Sequence, residues 1–454
     1  MFGKIQRIHF VGIGGIGMSG IAEVLVNLGY QVRGSDQKES AALERLRGLG
    51  VAVHVGHDAR NVGDAQVVVI SSAVGSDNPE VLAAHAAKIP VIPRGEMLAE
   101  LMRMKHGIAV AGSHGKTTTT SMVAHILSQG GLDPTIIVGG KLGTIGSNAK
   151  LGKGSLLVAE ADESDGSFLM LTPTLAVITN IDREHLDHYR DLDEIKEAFV
   201  AFGNKVPFYG SVFACIDCPN VASILPRLKR PVRTYGTNPQ VDIRALDIRQ
   251  EECRTHFRVR VSGEDFGAFS LGIPGDHMVL NALAAIGIAL EMGLERTAIQ
   301  ASLAGFTGAD RRFQRKGERK GVLVVDDYGH HPTEIAATLA AARKGFPDRR
   351  IVAAFQPHRY TRTQALLEEF GHAFFDADVV VVTDIYAASE EPIPGLTGAS
   401  LVESILAHGQ REAHYVPRIE DLPAALDGLT LPGDLLLTFG AGTITNVGPR
   451  FLAL

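Results

Sequence analysis

The stretch VAGSHGKTTTT, residues 110–120, constrains the chain more than any other. An apolar run at 108–111 enters a turn bracketed by Gly112 and Gly115, Lys116 follows, and four threonines open an amphipathic segment at 121–127. A strand, a Gly-rich turn and a helix in that order direct backbone N–H groups and the positive helix end at one point, as phosphate oxygens require. Gly112, Ser113, His114, Gly115, Lys116, Thr117, Thr118 and Thr119 are therefore candidate phosphate contacts. Lys116 is expected to be solvent-accessible and to bring a cation to the β- and γ-phosphates, while the Thr117 hydroxyl suits Mg²⁺. The spacing is GxxGKT, shorter than the GxxxxGK[ST] of the common phosphate loop.

The surrounding sequence alternates short Val/Ile-rich runs with Ala/Leu-rich amphipathic segments, which predicts an α/β fold with mainly parallel sheets. Residues 7–36 form the first unit: strand IHFVGIG, helix MSGIAEVLVNLG and strand YQVRGSD. Gly12, Gly14 and Gly17 spell GxGxxG, and Asp36 ends the next strand, as in dinucleotide-binding units. The pattern specifies a diphosphate near a helix N-terminus and an acid near a ribose. An NAD-dependent oxidoreductase and a protein binding a nucleotide-diphosphate sugar both satisfy it. VVVISSAV (67–74) reads as a further strand, and IPVIPRGEMLAELMR (89–103) runs through prolines into a helix, which puts the first domain boundary at 104.

In the central segment, LLVAEADESDGSF (156–168) and LAVITNIDREHLDHY (175–189) are apolar strands ending in acids, where doubly wound sheets place ligands. PGDHMVLNALAAIGIALEMG (274–293) is a helix entered through Pro-Gly. The basic run RRFQRKGERK (311–320) suits a solvated connector as well as a phosphate contact, and only Arg312 is singled out for contact. Beyond it, VLVVDDY, IVAAFQPHRYTRT, VVVVTDIY and LLLTFGAGTI are strands with polar or Gly-rich ends. The expected domains are 1–104, 105–311 and 312–454.

Composition narrows the function. With 44 basic against 51 acidic residues in 454, the net charge of -7 argues against a general nucleic-acid binder. Three cysteines suit a reducing compartment, and the single CxxC, Cys215 and Cys218, lacks a second pair at zinc-site spacing, so plain thiols are expected. No apolar stretch is long enough to span a bilayer, and the glycines at 12, 14, 15 and 17 break the early apolar run after Lys4 and Arg7. A soluble cytoplasmic protein without membrane insertion is expected.

Through HFVGIGGIGMSGIAEVL, AGSHGKTTTT, EADESDGSF, TNIDREHLDHY, DDYGHHPTE and FQPHRYTRT, the whole chain resembles the Mur ligases of peptidoglycan synthesis, ATP-dependent amide-forming enzymes. The resemblance implies three domains: Rossmann-like for a UDP-sugar, a central P-loop-type ATPase, and Rossmann-like for an amino acid. It implies ATP and Mg²⁺ (or Mn²⁺) as cofactors, and UDP-N-acetylmuramate and L-alanine as substrates joined through an acyl phosphate. A homodimer stays open.

By the same resemblance, Gly14, Gly15, Ile16, Ser71 and Arg94 surround the UDP moiety, with Asp36 near its ribose. Thr117, Glu160 and His185 hold the metal, and Asp162, Ser164 and Asn180 border the muramoyl carboxylate. His277, Asn281 and Arg312 join the ATP contacts, the first two at the adenine. Tyr328, His330, Arg359 and Arg362 face the amine and the transferring phosphoryl group, and Lys116, His330, Arg359 and Arg362 are the catalytic set. One departure stands out: Val200 lies fifteen residues beyond His185, where several sister ligases carry a carbamoylated lysine. Within the family, a ligase recycling a murein tripeptide onto the same UDP-sugar is the alternative. From other classes, a dehydrogenase leaves the phosphate loop unused, and a non-catalytic nucleotide switch leaves the Arg/His cluster after residue 326 unused.

Overall fold

The computed structural model describes residues 4–71, 73–142, 147–185 and 188–454; Ser72, within VVVISSAV, and Leu186 and Asp187, within the DREHLDHY segment, lie outside them. The fold is a three-domain α/β arrangement with three mostly parallel sheets. By packing, the chain separates into two compact units, one of residues 1–246, 258–268 and 280–303 and the other of 247–257, 269–279 and 304–454.

The first sheet runs Ala52–Val55, Gln31–Asp36, Arg7–Val11, Val67–Ile70, Val91–Pro93, all parallel. The chain starts at the centre and winds both ways, so the loop after Arg7–Val11 opens at the switch point, where such sheets bind ligands. Beneath it lies a buried polar network. Glu80, fully buried, accepts from His9 Nε2 at 2.8 Å, Ser35 Oγ at 2.6 Å, Asn61 Nδ2 at 2.8 Å and the Asp58 amide at 3.1 Å.

The second sheet has the order Glu264–Leu271, Arg254–Val261, Ile243–Glu251, Val232–Gly236, Ser211–Cys215, Leu175–Ile178, His106–Ala111, Leu156–Glu160, Thr135–Leu142, Ser147–Lys150. His106–Ala111 lies parallel between Leu175–Ile178 and Leu156–Glu160, so the phosphate loop and both acidic segments leave the sheet at one edge. Their apolar runs are continuous because both faces are covered. The helix Leu192–Gly203 starts with Asp191 accepting from the Glu194 amide at 2.9 Å and carries two acids in its first turn. Its buried Phe199 and Phe202 meet the Phe168 ring at 5.4 and 5.1 Å, which pins the end of the EADESDGSF segment. Val200 is a buried member of this helix.

The third sheet runs Gln314–Arg319, Val322–Asp327, Leu435–Phe439, Ile351–Phe355, Val379–Val382, Ala413–Tyr415. Here the structure corrects the connector reading of the basic run, because Gln314–Arg319 is an edge strand antiparallel to Val322–Asp327. Edge strands tolerate charge, which discourages pairing with other chains, and this one is anchored by Arg319 against Asp427 and over the Phe451 ring. All three cysteines are free. Burial pushes the Cys215 thiol up to about 12, and Cys218 Sγ accepts from the Ile181 amide at 3.5 Å, so both behave as packed thiols.

Candidate active site

The phosphate loop holds its shape through glycines and a clamp. Gly112 has φ +137°, and a Cβ there would lie 2.0 Å from Thr179 Oγ1. Gly115, at φ +80°, is the N-cap of the helix Lys116–Gln129, and a Cβ there would lie 2.8 Å from Asn281 Oδ1. Asn180 receives the His114 amide at 2.7 Å and donates to the His114 carbonyl at 3.0 Å, while Thr179 Oγ1 donates to the same carbonyl at 2.7 Å. Ser113 Oγ accepts from the Asp182 amide, and the His114 ring meets Asp182 at 2.9 Å. Asn180 and Ser113 are thus occupied in supporting the loop. Thr118 and Thr119 are 2% and 0% exposed, which leaves their backbone groups rather than their hydroxyls to meet a ligand.

At the head of this helix a cation is enclosed by acids. Lys116 Nζ donates to the Gly112 carbonyl at 2.8 Å, the Ser113 carbonyl at 3.2 Å and Glu163 Oε1 at 2.8 Å. Its side chain is only 13% exposed, which corrects the expectation of a solvent-accessible lysine. Burial opposes its charge, but Glu163, Asp162, Glu184 and Glu160 outweigh burial and raise its proton affinity.

Thr117 Oγ1 lies 3.0 and 3.1 Å from the Glu160 oxygens, and the Gly139 amide donates to Glu160 Oε2 at 2.8 Å. Burial pushes the Glu160 carboxyl above its ordinary value despite Lys116. His185, at φ +57°, places Nε2 3.5 Å from Glu163 and 3.8 Å from Glu184. The structure therefore brings Thr117 to Glu160, and His185 to Glu163 and Glu184. Glu163 is 1% exposed, and its Oε2 is buried without a hydrogen-bond partner, an anionic atom in need of a cation. Carboxylate and hydroxyl oxygens with one imidazole make a donor set that fits Mg²⁺ or Mn²⁺.

The N-terminal loop approaches the same acids. Asp36 Oδ2 accepts from the Gly14 amide at 2.8 Å, and Ser71 Cβ lies 3.2 Å from where a Gly12 Cβ would stand. Gly15 caps the helix Ile16–Asn27, and Ile16 at its start is 57% exposed, an apolar side chain left open at the loop. A Cβ on Gly17 would strike Arg94 Nη1 at 2.6 Å, so the third glycine makes room for a guanidinium. Arg94 reaches Asp162 at 3.4 Å, and Asp162 in turn caps the Ser164 amide at 3.1 Å. Lys116, Ser164 and Arg94 hold the Asp162 carboxyl below its ordinary range against burial.

The C-terminal unit carries its own cluster. The guanidinium carbons of Arg311 and Arg312 lie 5.0 and 5.3 Å from the Tyr328 ring centre, and Arg312 pairs with Glu334 at 3.2 Å. His330 Nδ1 is 3.2 Å from the Tyr328 carbonyl and 3.4 Å from Glu334, and its amide donates to Glu334. Burial, then Arg312, lowers His277 to about 4, which leaves it neutral near pH 7. Arg362 sits 3.4 Å from His358 Nδ1, and the His358 ring stacks on Tyr386 at 5.5 Å. Arg359 adopts φ +70°, costly for a residue with a Cβ, and its amide donates to the Tyr386 carbonyl at 2.9 Å.

Sequence reasoning passed over Glu163, Glu184, Glu334, His358 and Tyr386. Glu163, Glu184, Glu334 and His358 lay inside motifs already singled out, where their neighbours were chosen instead, and Tyr386 ended a run read only as a strand.

A multidomain α/β protein with a phosphate loop, a shielded lysine and buried acids at one sheet edge is a nucleotide-using enzyme in class. Family models match in succession: the Mur ligase family catalytic domain at 7–106, the Mur ligase middle domain at 110–289, and the Mur ligase glutamate ligase domain at 311–442. The chain belongs to the Mur ligase family. It is 58% identical over 452 residues to the UDP-N-acetylmuramate--L-alanine ligase of Geobacter sp. (strain M21), covering 100% of this chain and 98% of the relative. The UDP-N-acetylmuramate-alanine ligase structure from Thermotoga maritima superposes with a TM-score of 0.82 at 31% identity, covering 98% of each chain. A murein peptide ligase from Psychrobacter arcticus shares the fold at a TM-score of 0.71 and 24% identity, covering 99% of this chain and 98% of that one.

Proposed function

We propose that this chain joins L-alanine to the lactoyl carboxylate of UDP-N-acetylmuramate at the expense of ATP, in cytoplasmic peptidoglycan precursor synthesis. The observation that carries this reading is the 58% identity, over essentially the full length of both chains, to a ligase named for those two substrates. The murein peptide ligase resembles the chain less, at 24% identity, so the tripeptide is the second candidate for the amine. A dehydrogenase would leave the shielded lysine and its acids without a task.

The division of labour we propose follows residues 1–104 for the UDP-sugar, 105–311 for ATP and 312–454 for the amino acid. Among the described residues no helix is long and apolar enough to cross a membrane.

Oxide is too poor a leaving group for an amine to displace from a carboxylate. Transfer of the γ-phosphoryl group to the carboxylate oxygen gives an acyl phosphate and ADP. The ammonium gives up one proton to a base to become the attacking amine; this adds to the carbonyl carbon, the C–O bond to phosphate breaks, and a second nitrogen proton is lost, leaving the amide and hydrogen phosphate. Backbone N–H groups of residues 112–119 cradle the phosphates, and Lys116 spreads the transferring charge. Arg94 and Asp36 position the UDP-sugar at the first loop, and Asp162 and Ser164 border its carboxylate. His277, Asn281 and Arg312 are assigned to the nucleotide and Tyr328 to the amino acid. His330 takes the ammonium proton, with Glu334 orienting its ring, and Arg359 and Arg362 stabilise the tetrahedral oxyanion. Thr117, Glu160 and His185 would hold Mg²⁺ or Mn²⁺, joined by Glu163, and the ion would supply charge neutralisation at the phosphates.

Two outcomes test these assignments. ATP-dependent phosphate release is expected only when UDP-N-acetylmuramate and L-alanine are both present, unaffected by NAD or NADP; preference for the tripeptide would establish the recycling reaction instead. Glu160→Gln and His185→Ala are each expected to raise the Mg²⁺ concentration giving half-maximal rate by about tenfold or more. An unchanged Mg²⁺ dependence in both variants would remove them from the metal set.

A further inference from the structure

Away from the residues discussed so far, three side chains with metal-binding chemistry converge on the surface of the C-terminal unit. Glu368 and His372 lie four apart on the helix Leu367–His372, hence on one face, and His408 caps the C-terminus of the helix Gly398–Ala407. One donor atom from each lies within 4.8 Å of the other two. The His372 and His408 rings stand 4.3 Å apart at 71°.

Two further features prepare this corner. His408 Nδ1 lies 2.7 Å from the Ser404 carbonyl, which only accepts, so Nδ1 carries the proton and Nε2 keeps its lone pair. That is how the outer ring nitrogen of a metal-bound histidine is usually held. A Cβ at position 371 would come 2.4 Å from His408 Nδ1, so glycine beside His372 is what lets the second histidine approach. Ser404 Oγ donates to the Leu367 carbonyl at 3.1 Å, fixing the two helices to each other at the same place.

We infer that Glu368, His372 and His408 form a surface site for a borderline transition-metal cation, Zn²⁺ foremost. Two imidazoles and one carboxylate are a common three-ligand set for zinc, with a fourth position open to water, whereas Mg²⁺ favours sets in which oxygen ligands predominate. Glu368 and His372 are exposed, so their side chains adjust to an arriving ion at little cost. An ion there would clamp the end of one helix to the end of the other, stabilising the folded chain increasingly as the free ion concentration exceeds its Kd.

The test is calorimetric titration of the full chain with ZnCl₂ in saturating Mg²⁺, beside His372→Ala and Glu368→Gln, together with thermal melts with and without zinc. The wild type is expected to bind one zinc ion per chain more than His372→Ala, to bind it more weakly in Glu368→Gln, and to melt higher with zinc only while His372 is present. Both substitutions are at exposed positions, and the metal-free melts report whether each variant is folded. Equal zinc stoichiometry and affinity in all three proteins would overturn the site, as would a zinc-dependent rise in melting temperature that persists in His372→Ala.

Discussion

Lys116→Ala is expected to reduce turnover roughly 10³-fold or more, on the scale seen when a group stabilising transferring charge is removed. It should also destabilise the fold. Lys116 is the cation that Glu163 was buried against, at 2.8 Å, and the carboxylate it leaves behind is 1% exposed. Removing one partner of a buried pair typically costs about 3–5 kcal/mol. The two losses can be separated, because Lys116→Met combined with Glu163→Gln removes both charges while keeping most of the volume. That double variant should recover most of the stability, read by urea unfolding, and none of the activity. Turnover by Lys116→Ala within about tenfold of wild type, a barrier change of only ~1.4 kcal/mol, would refute the role given to the lysine.

The second large effect lies in the N-terminal sheet, away from the phosphate loop. Glu80→Ala would remove the shared acceptor of His9, Ser35, Asn61 and the Asp58 amide, and is expected to cost about 3–5 kcal/mol of unfolding free energy. The pH dependence is more diagnostic. Burial alone would raise the Glu80 carboxyl, but the hydrogen bonds from His9, Ser35 and Asn61 outweigh it and hold the group at about 2, against an ordinary value of 4.5. A carboxylate depressed in the folded state contributes stability that is fully present above pH 4.5. The contribution fades as the pH falls towards 2. Its size is about 3 kcal/mol. The stability gap between wild type and Glu80→Gln should therefore be constant from pH 5 upward and shrink below pH 4.5; a gap that does not narrow would contradict the network's role.

These two carboxylates also mark where the sequence was readable and where it was not. The phosphate loop, the GxGxxG unit and the helix from residue 276 were legible because glycine spacing and apolar period act locally. The EADESDGSF run announced an acidic site. However, spacing alone does not tell which carboxylate turns inward, and Glu163 is selected by the Tyr189 hydroxyl and the Gly166 amide, which donate to its carbonyl at 2.7 and 3.0 Å. Tyr189 lies 26 residues further along, just before the helix Leu192–Gly203, so the choice is tertiary. Glu80 was hidden for the same reason, since its partners come from three separate stretches, at His9, at Ser35 and at Asp58 with Asn61.

The basic run at 311–320 was misread because seven of its ten side chains are charged, and the edge strand within it, Gln314–Arg319, has no apolar residue to mark it. The strands Ile243–Glu251 and Arg254–Val261 alternate more and less buried residues, a legible signal that the sequence reading did not use. Arg359 shows a further limit: no local rule predicts φ +70° for an arginine, because the conformation is imposed by its bond to Tyr386.

The most direct test of the central claim follows one oxygen atom. UDP-N-acetylmuramate labelled with ¹⁸O in its lactoyl carboxylate would be incubated with ATP, Mg²⁺, L-alanine and the enzyme, and the released phosphate examined by mass spectrometry. An acyl phosphate requires one carboxylate oxygen to leave with phosphate in every turnover, so labelled phosphate should appear in step with the L-alanyl amide. Unlabelled phosphate, or phosphate formed without that amide, would contradict the account.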